Sequence, residues 1–309
     1  MQFPTSPAGH GISLVTPFTE GDQIDWPALQ RIIEKGIAGG ADFFVVLGPG
    51  AEVWSLEAIE QQRIVEFALD VLQGRRPLML GVSAASTKST IARLREAFPE
   101  NTPRLNPKKG LAAVLLEVPN DPGIPQLGLV SHFQTIAETS PLPIVLHQRR
   151  GPKGSGLLAE SVINLSNHPQ LIAFMDGRVD LALTGEVIRN KAPGFKVLVG
   201  DDVSALPVLA LGADGVVSSI GNAFPKAFSD LVSQTQFGDL PTARTTHHHL
   251  APLLRLLEHT ATATGTKAVL EHLGMCRADV RLPLSRIPEM ENRAVYRAIA
   301  DMDRSVSGL

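Results

Sequence analysis

Residues 196–218, KVLVGDDVSALPVLALGADGVVS, contain the pattern that decides the fold. Two short and mostly apolar runs, 196–199 and 215–218, flank a segment with helical hydrophobic spacing. A strand, a helix and a second strand in this order form the crossover unit of a parallel sheet. Both runs are nearly continuous in apolar residues, so both faces of each strand are expected to be covered.

The same alternation extends over most of the chain. Eight runs have the composition and length of buried strands: 12–15, 43–47, 77–82, 112–118, 143–147, 171–175, 196–199 and 215–218. Eight strand-helix units over about 240 residues match the size of a (β/α)8 barrel, although a doubly wound open sheet has the same local pattern. We therefore expect an α/β protein, with a (β/α)8 TIM barrel over residues 1–238.

Several of the intervening segments carry residues that start helices. Asp25 precedes Trp26 and Pro27, Ser55 precedes an acidic segment, and Ser86 or Thr87 precedes a polar helical one. Prolines between residues 98 and 110 predict that the third crossover helix ends early and that an irregular loop follows it.

Beyond residue 238 the strand pattern stops, and residues 239–309 are predicted to form a C-terminal helical region. Residues 241–262 have the pattern of one long helix, whose leucines would pack within the chain or in an oligomer. The run His247-His248-His249 lies in that helix. Adjacent helical residues point in different directions, so these histidines are expected to be solvated rather than to share a metal ion. The apolar stripe consists of Leu250, Leu253, Leu254 and Leu257.

Composition narrows the possible partners. The 309 residues have a net charge of −3, which does not give the basic field that binding to nucleic acid or to an anionic membrane requires. The single cysteine, Cys276, cannot form an internal disulfide, and the N-terminus lacks the basic and apolar segments of an export signal. No apolar run reaches the roughly 18 residues of a membrane span. We expect a soluble cytoplasmic protein.

Several motifs follow one another over nearly the whole chain. They are LVTPF at 14–18, Gly48 and Glu52 with Leu56, Gly81-Val82, LPIVL at 142–146, GDD at 200–202, GADGVVS at 212–218 and RLPL at 281–284. Together they resemble the dihydrodipicolinate synthase and N-acetylneuraminate lyase family of pyruvate-dependent lyases and aldolases. The resemblance implies a ligand site at the C-terminal mouth of the barrel and a homo-oligomer, a dimer or a tetramer. It also implies a 2-oxo acid bound as an imine on a lysine of the sixth strand, where the protonated imine accepts electrons.

At the residues that perform this chemistry in the family, the chain differs. Met175 takes the place of the imine lysine, and a thioether cannot form an imine. The family's Gly-Thr-Thr-Gly-Glu loop is Gly48-Pro49-Gly50-Ala51-Glu52 here, so both hydroxyl groups are missing. Its Tyr-Asn-Val-Pro and Arg-Thr-Gly stretches are HQRR at 147–150 and Pro152-Lys153-Gly154. Ordinary dihydrodipicolinate synthase activity is therefore not expected.

Another lysine could in principle replace the missing one. Lys153 is the lysine expected near the mouth, but it lies on a glycine-rich loop, so its amine is expected to be solvated. Its pKa would then stay at about 10.4, which disfavours imine formation, unless Arg149 and Arg150 lower it. The other lysines precede strands or lie on helices, and Lys267 belongs to the C-terminal helical region.

His147 occupies the position of the family's phenol and is the predicted general acid or base, because an ordinary histidine titrates near neutral pH. A histidine that only hydrogen-bonds a loop carbonyl fits the sequence equally well. Arg149, Arg150 and Lys153 could bind a carboxylate or a phosphate, or could be solvated charges paired with nearby acidic residues. Since neighbouring strand residues point to opposite sides, at most one of the two arginines should face a ligand.

The remaining predicted ligand-site residues are Gly50, Glu52, Met175 and Ser218. Gly50 is expected to form the turn after the second strand, and Glu52 to cap the next helix or brace its loop. Asp201 and Asp202 match ordinary family members, so they give no sign of a changed function.

Three functions stay open. The first is a lyase-family protein with a degenerate active site that binds a small carboxylate or 2-oxo acid, with no cofactor or metal. The second is a non-catalytic ligand-binding or regulatory relative. The third is a metal-assisted lyase or aldolase with Glu117, His147 and Asp176 as ligands.

Overall fold

A computed structural model describes residues 7–82, 84, 86–98, 110–119, 121–149, 155–178 and 180–307. Its eight parallel strands form a closed barrel in chain order. The first strand pairs with both the second and the eighth, so the TIM-barrel prediction is confirmed and the open sheet is excluded. The strands are β1 Gly9–Ser13, β2 Phe43–Val46, β3 Leu78–Gly81, β4 Leu111–Glu117, β5 Ile144–Gln148, β6 Leu171–Asp176, β7 Lys196–Val199 and β8 Gly215–Ser218.

Helices follow the strands along the chain and cover the outside of the barrel. Those that alternate with strands are α1 Trp26–Ala38, α2 Ala58–Leu72, α3 Thr87–Ala97, α4 Gln126–Ala137, α5 Ala159–Leu165, α6 Leu181–Asn190, α7 Ala205–Ala210 and α8 Pro225–Gln236. The C-terminal region adds α9 Leu240–Leu257, α10 Thr262–His272 and α11 Glu289–Ser307. Among the described residues, none of these helices is both long and apolar enough to span a bilayer.

The predicted helix starts are confirmed at two of three positions. The Asp25 carboxylate accepts a hydrogen bond from the Ala28 amide at 2.9 Å, and Ser86 caps α3 in the same way. Ser55 is wrong as a helix start, because it lies in a short 3₁₀ turn. Helix α2 instead begins after Glu57, which forms a reciprocal capping box with Glu60.

The inside of the barrel is filled by side chains from alternate strand positions. Apolar side chains from β2 to β8 meet there and are almost fully buried, so the centre is a packed core rather than a channel. A ligand must therefore bind above this core, at one end of the strands. The interior cluster comprises Phe43, Val45, Met79, Ala113, Leu115, Val145, Ala173, Met175, Leu198 and Val217.

The C-terminal helices complete one end of the barrel. Leu250, Leu253 and Leu254 of α9 are buried, so the apolar stripe packs within the chain. This is one of the two alternatives that the sequence left open. The predicted long helix ends at Leu257, and a separate helix begins at Thr262. The turn between these helices lies over the carboxyl ends of the strands and forms part of the cavity described next.

Candidate active site

A cavity of about 560 Å³ lies at the carboxyl ends of the strands. Loops after β2, β5, β7 and β8 form one side, and the turn between α9 and α10 forms the other. Of the predicted site residues, the fold brings His147, Arg149, Gly50 and Glu52 together here. Arg150 and Lys153 lie outside the described residues. The polar and charged residues of the wall include Glu52, Arg93, Glu117, His147, Arg149, Asp201, Asp202, Ser219, Glu258, Thr262 and Thr266.

His147 stands on β5, opposite Glu117 of β4 and Met175 of β6. The side chain is buried, and its ring has no hydrogen-bond partner among the described residues. Burial, assisted by the positive charge of Arg149, lowers the pKa of His147 to about 4. The expectation of titration near neutral pH is therefore wrong for this environment. At pH 7 the cavity contains a neutral imidazole, which can donate one hydrogen bond and accept another.

Arg149 forms an ion pair with Glu117. The sequence analysis gave pairing with a nearby acidic residue as one of two alternatives for this arginine. Half of the Arg149 side chain remains exposed at the cavity rim, so part of its guanidinium stays accessible. Burial raises the pKa of Glu117, and the charge and hydrogen bond of Arg149 oppose that rise. The pair thus brings a partly desolvated carboxylate and a cation to the wall beside His147.

Met175 and Ser218 do not line the cavity, in contrast to the prediction for both. The Met175 side chain points into the packed barrel interior, beneath the mouth. It lies so close to Gly200 that a Cβ there would approach the Met175 Cε to 2.8 Å. Ser218 is fully buried; its Oγ accepts a hydrogen bond from the Gly221 amide at 2.7 Å, and its hydroxyl also hydrogen-bonds Asp202.

Glu52 lines the cavity, but protein donors already engage both of its carboxylate oxygens. Oε1 forms a buried ion pair with Lys267 Nζ, and Oε2 accepts a hydrogen bond from the Arg281 amide at 2.8 Å. It does not cap a helix; it braces its loop against the C-terminal region. Gly50, with φ of +84°, forms the expected turn and faces the Thr262 methyl group, which a Cβ would approach to 3.1 Å.

Lys267 is the residue whose position the sequence did not reveal. Its ammonium group also donates to the Asp279 carbonyl at 2.8 Å and lies 4.0 Å from the centre of the Phe18 ring. Burial lowers the pKa of Lys267, and Glu52 opposes that effect. Lys267 is not part of the cavity wall, and no lysine of the described residues is.

Asp202 is a second residue that sequence reasoning missed. Its Oδ2 accepts a hydrogen bond from the Ile220 amide at 3.0 Å, and its Oδ1 is buried without a partner. Burial raises the pKa of Asp202 to about 6, hydrogen bonds from Ser218 and from the Ile220 amide oppose the rise, and the neighbouring charge of Asp201 adds to it. The GDD motif at 200–202 could have drawn attention to Asp202. Because the motif also occurs in ordinary family members, it gave no sign of a changed function.

The three proposed metal ligands do not converge. Asp176 accepts hydrogen bonds from the Arg178 amide at 2.9 Å and the Thr184 hydroxyl at 2.6 Å, and it does not face the cavity. Over the part of the chain that the structure describes, no three histidine, cysteine or acidic side chains are grouped as a metal site requires.

A polar cavity at the carboxyl ends of eight parallel strands places the chain among barrel proteins with their site in the usual position. Residues 7–302 match the Dihydrodipicolinate synthetase family. The chain belongs to this family, whose members are lyases.

Relatives match over nearly their full length. The 4-hydroxy-tetrahydrodipicolinate synthase of Phocaeicola vulgatus is 35% identical, over 94% of this chain and 96% of that protein. The solved 4-hydroxy-tetrahydrodipicolinate synthase of Methylacidiphilum fumariolicum is 27% identical with a TM-score of 0.88, covering 98% of both chains. The dihydrodipicolinate synthase of Acinetobacter baumannii, solved in complex with pyruvate, is 27% identical with a TM-score of 0.88, covering 96% of this chain and 99% of that one.

Proposed function

We propose that this chain binds a small 2-oxo acid at the carboxyl end of its barrel and activates it as a lyase, without forming an imine on a lysine. It would therefore not catalyse the ordinary 4-hydroxy-tetrahydrodipicolinate synthase reaction. The observation that carries this proposal is the composition of the wall. Among the described residues, a neutral histidine and two arginines, Arg93 and Arg149, line the cavity and no lysine does, while a thioether fills the barrel beneath them.

Arg149 would bind the ligand carboxylate. Its guanidinium lies at the rim, is half exposed and can form paired hydrogen bonds with a carboxylate. Glu117 orients it and keeps part of its charge compensated when no ligand is bound. Arg150 and Lys153 follow in the sequence and add positive charge to the same loop. The pyruvate complex of the Acinetobacter baumannii relative supports a 2-oxo acid as the ligand class.

His147 would polarise the keto group. A neutral imidazole with a lowered pKa can donate a hydrogen bond to a carbonyl oxygen and stabilise the enolate that develops there. Burial and Arg149 keep His147 in this form over the whole physiological pH range. This hydrogen bond would accept developing charge in place of the imine, and it would support either proton exchange or cleavage at the carbon next to the keto group.

Borohydride trapping tests the absence of an imine. The protein is incubated with pyruvate and borohydride, and its intact mass is measured. We expect no covalent adduct on the wild type, on Lys153→Met or on Lys267→Met. A stable adduct that disappears in either lysine variant would contradict the proposal and would identify the nucleophile.

Calorimetric titration with pyruvate tests the carboxylate site. Arg149→Met should weaken binding by about tenfold or more, because a charge-assisted bidentate contact is lost. Lys196→Met, at the opposite end of the barrel, should bind as the wild type does. Binding without turnover over a panel of 2-oxo acids would favour the non-catalytic alternative, whereas turnover abolished by His147→Ala would contradict it.

A further inference from the structure

The two adjacent aspartates after β7 are used differently. Asp201 holds the turn that leads into the short helix α7, because its Oδ2 accepts hydrogen bonds from both the amide and the hydroxyl of Ser204, the residue that precedes the helix. Asp202 is held by the Ser218 hydroxyl at the end of β8 and by the Ile220 amide of the following turn, which donates to its Oδ2 at 3.0 Å. Its Oδ1 is buried and has no hydrogen-bond partner. One carboxylate is thus committed to the fold, and the other is fixed in place with one oxygen unused.

An unused carboxylate oxygen in a buried position is costly when the group is ionised. Protonation removes that cost, which agrees with the raised pKa of about 6. Asp202 can therefore exchange a proton with moderate free-energy change in either direction near neutral pH. This is the property that a proton-transfer residue needs and that a structural carboxylate lacks.

The other titratable groups of the wall are less suitable. Glu52 is committed to Lys267 and Glu117 is paired with Arg149. Glu258 is exposed on the C-terminal helices. The pKa of His147, about 4, makes it a weak base at neutral pH. Among the described residues of this wall, Asp202 is the half-buried carboxyl that has a fixed position and one buried oxygen without a hydrogen-bond partner.

We infer that Asp202 transfers the proton at the carbon next to the keto group of the bound 2-oxo acid, an inference that rests on the proposed function. The Asp202 carboxylate takes the C3 proton, the C3–H electron pair forms a C2–C3 double bond, and the carbonyl π pair moves to the keto oxygen. His147 stabilises the resulting enolate by its hydrogen bond. In the reverse step the protonated Asp202 returns a proton to C3, so no external oxidant or co-reactant is needed.

Deuterium exchange measures this step directly. The wild type is incubated with pyruvate in D2O, and the loss of the methyl signal is followed by proton NMR, with 2-oxobutyrate and 2-oxoglutarate as further probes. Asp202→Asn should slow exchange by about 100-fold or more, the usual contribution of a positioned acid-base group. The dissociation constant for pyruvate, measured by calorimetry, should change by less than about threefold. Asp214→Asn, at the opposite end of the barrel where Asp214 pairs with Lys196, is the control and should retain wild-type exchange.

The outcomes separate the two proposals. Undiminished exchange in Asp202→Asn, or an equal loss in Asp214→Asn, would overturn the role of Asp202 and leave the proposed function standing. Binding of a 2-oxo acid by the wild type without any C3 exchange would also overturn the Asp202 role alone. Absence of binding to every 2-oxo acid tested would overturn the proposed function and this inference with it.

Discussion

The two sides of the cavity differ in whether their ionisable side chains have oppositely charged partners. On the side of the C-terminal helices, Glu52 of the wall is paired with Lys267 behind it, and Arg281, also behind the wall, is bound by Glu60 and Asp22. Both cations also lie against the Phe18 ring, at 4.0 and 4.4 Å from its centre. Each of these charges has an opposite charge beside it. This wall is an electrostatic connection between the barrel loops and the C-terminal region.

On the wall formed by β5, β7 and β8, His147 is buried and Asp202 is half-buried with its Oδ1 inaccessible, and neither forms an ion pair among the described residues. Their pKa values move in opposite directions, to about 4 and about 6, and burial is the main cause of both shifts. Each shift favours the neutral form. The comparison shows that the fold compensates charge where it needs rigidity and leaves it uncompensated where a group can exchange a proton or a hydrogen bond with a ligand.

The largest expected effect comes from breaking the compensated wall. Lys267→Met leaves one oxygen of the buried Glu52 carboxylate without its cation, and we expect the free energy of unfolding to fall by about 3 to 5 kcal/mol. Urea denaturation followed by circular dichroism measures this change. The double variant Glu52→Gln with Lys267→Met should recover much of the loss, because no uncompensated charge remains. A single variant as stable as the wild type would contradict the view that this pair holds the two regions together.

Acidification should weaken the uncompensated wall. The folded protein keeps His147 neutral down to a pKa of about 4, whereas the unfolded chain takes up the proton near 6.5. Stability contributed by this histidine is therefore complete above pH 6.5 and is lost as the pH falls towards 4, by roughly 3 kcal/mol. His147→Gln should lose less stability than the wild type between pH 7 and 4 in urea titrations.

His10, buried between β1 and α8 with a pKa lowered to about 3, lies away from the cavity and should behave in the same way. His10→Asn tests whether the acid sensitivity follows burial rather than position in the site. Identical pH slopes for the wild type and both variants would show that neither histidine is kept neutral by the fold.

Substitution of Asp202 should change the free energy of unfolding in the opposite direction to substitution of Lys267. Its raised pKa means that its ionisation in the folded protein costs stability as the pH rises from 3.8 through about 6. Asp202→Asn removes this cost, so the variant should be about 1 to 2 kcal/mol more stable than the wild type at pH 7.5. The gain should disappear at pH 4, where both proteins have a neutral side chain. Thermal unfolding at the two pH values measures the difference, and a loss of stability at pH 7.5 would mark Asp202 as a structural residue.

The barrel could be predicted from the sequence because its strands are buried on both faces. The runs 196–199 and 215–218 match β7 and β8 residue for residue. The first strand, predicted at 12–15, is Gly9–Ser13, because Gly9 and His10 do not have strand composition although they pair with Gly215 and Val216. Placement of His147 and Arg149 at the mouth followed from the same strand ends.

The charge states at the site could not be predicted in this way. Lys267 lies 215 positions from Glu52, and no local pattern connects them. His147 was treated as an ordinary histidine because burial cannot be known before the strands are assembled. Asp202 was set aside because Asp201 and Asp202 look equivalent in the sequence, whereas in the fold Asp201 accepts hydrogen bonds from Ser204 and Asp202 accepts one from the Ile220 amide.

The smallest expected effect is at the end of the barrel opposite the cavity. Lys196 forms an ion pair with Asp214 at 2.7 Å, and about a quarter of its side chain is exposed (27%). Asp214 also accepts a hydrogen bond from the Val197 amide at 2.9 Å, so it keeps a partner when the lysine is removed. Solvent screens this pair more than the fully buried one, and we expect Lys196→Met to cost about 1 kcal/mol or less. A loss as large as that of Lys267→Met would show that ion pairs in this barrel contribute equally at both ends. The contrast drawn between the walls of the cavity would then not depend on burial.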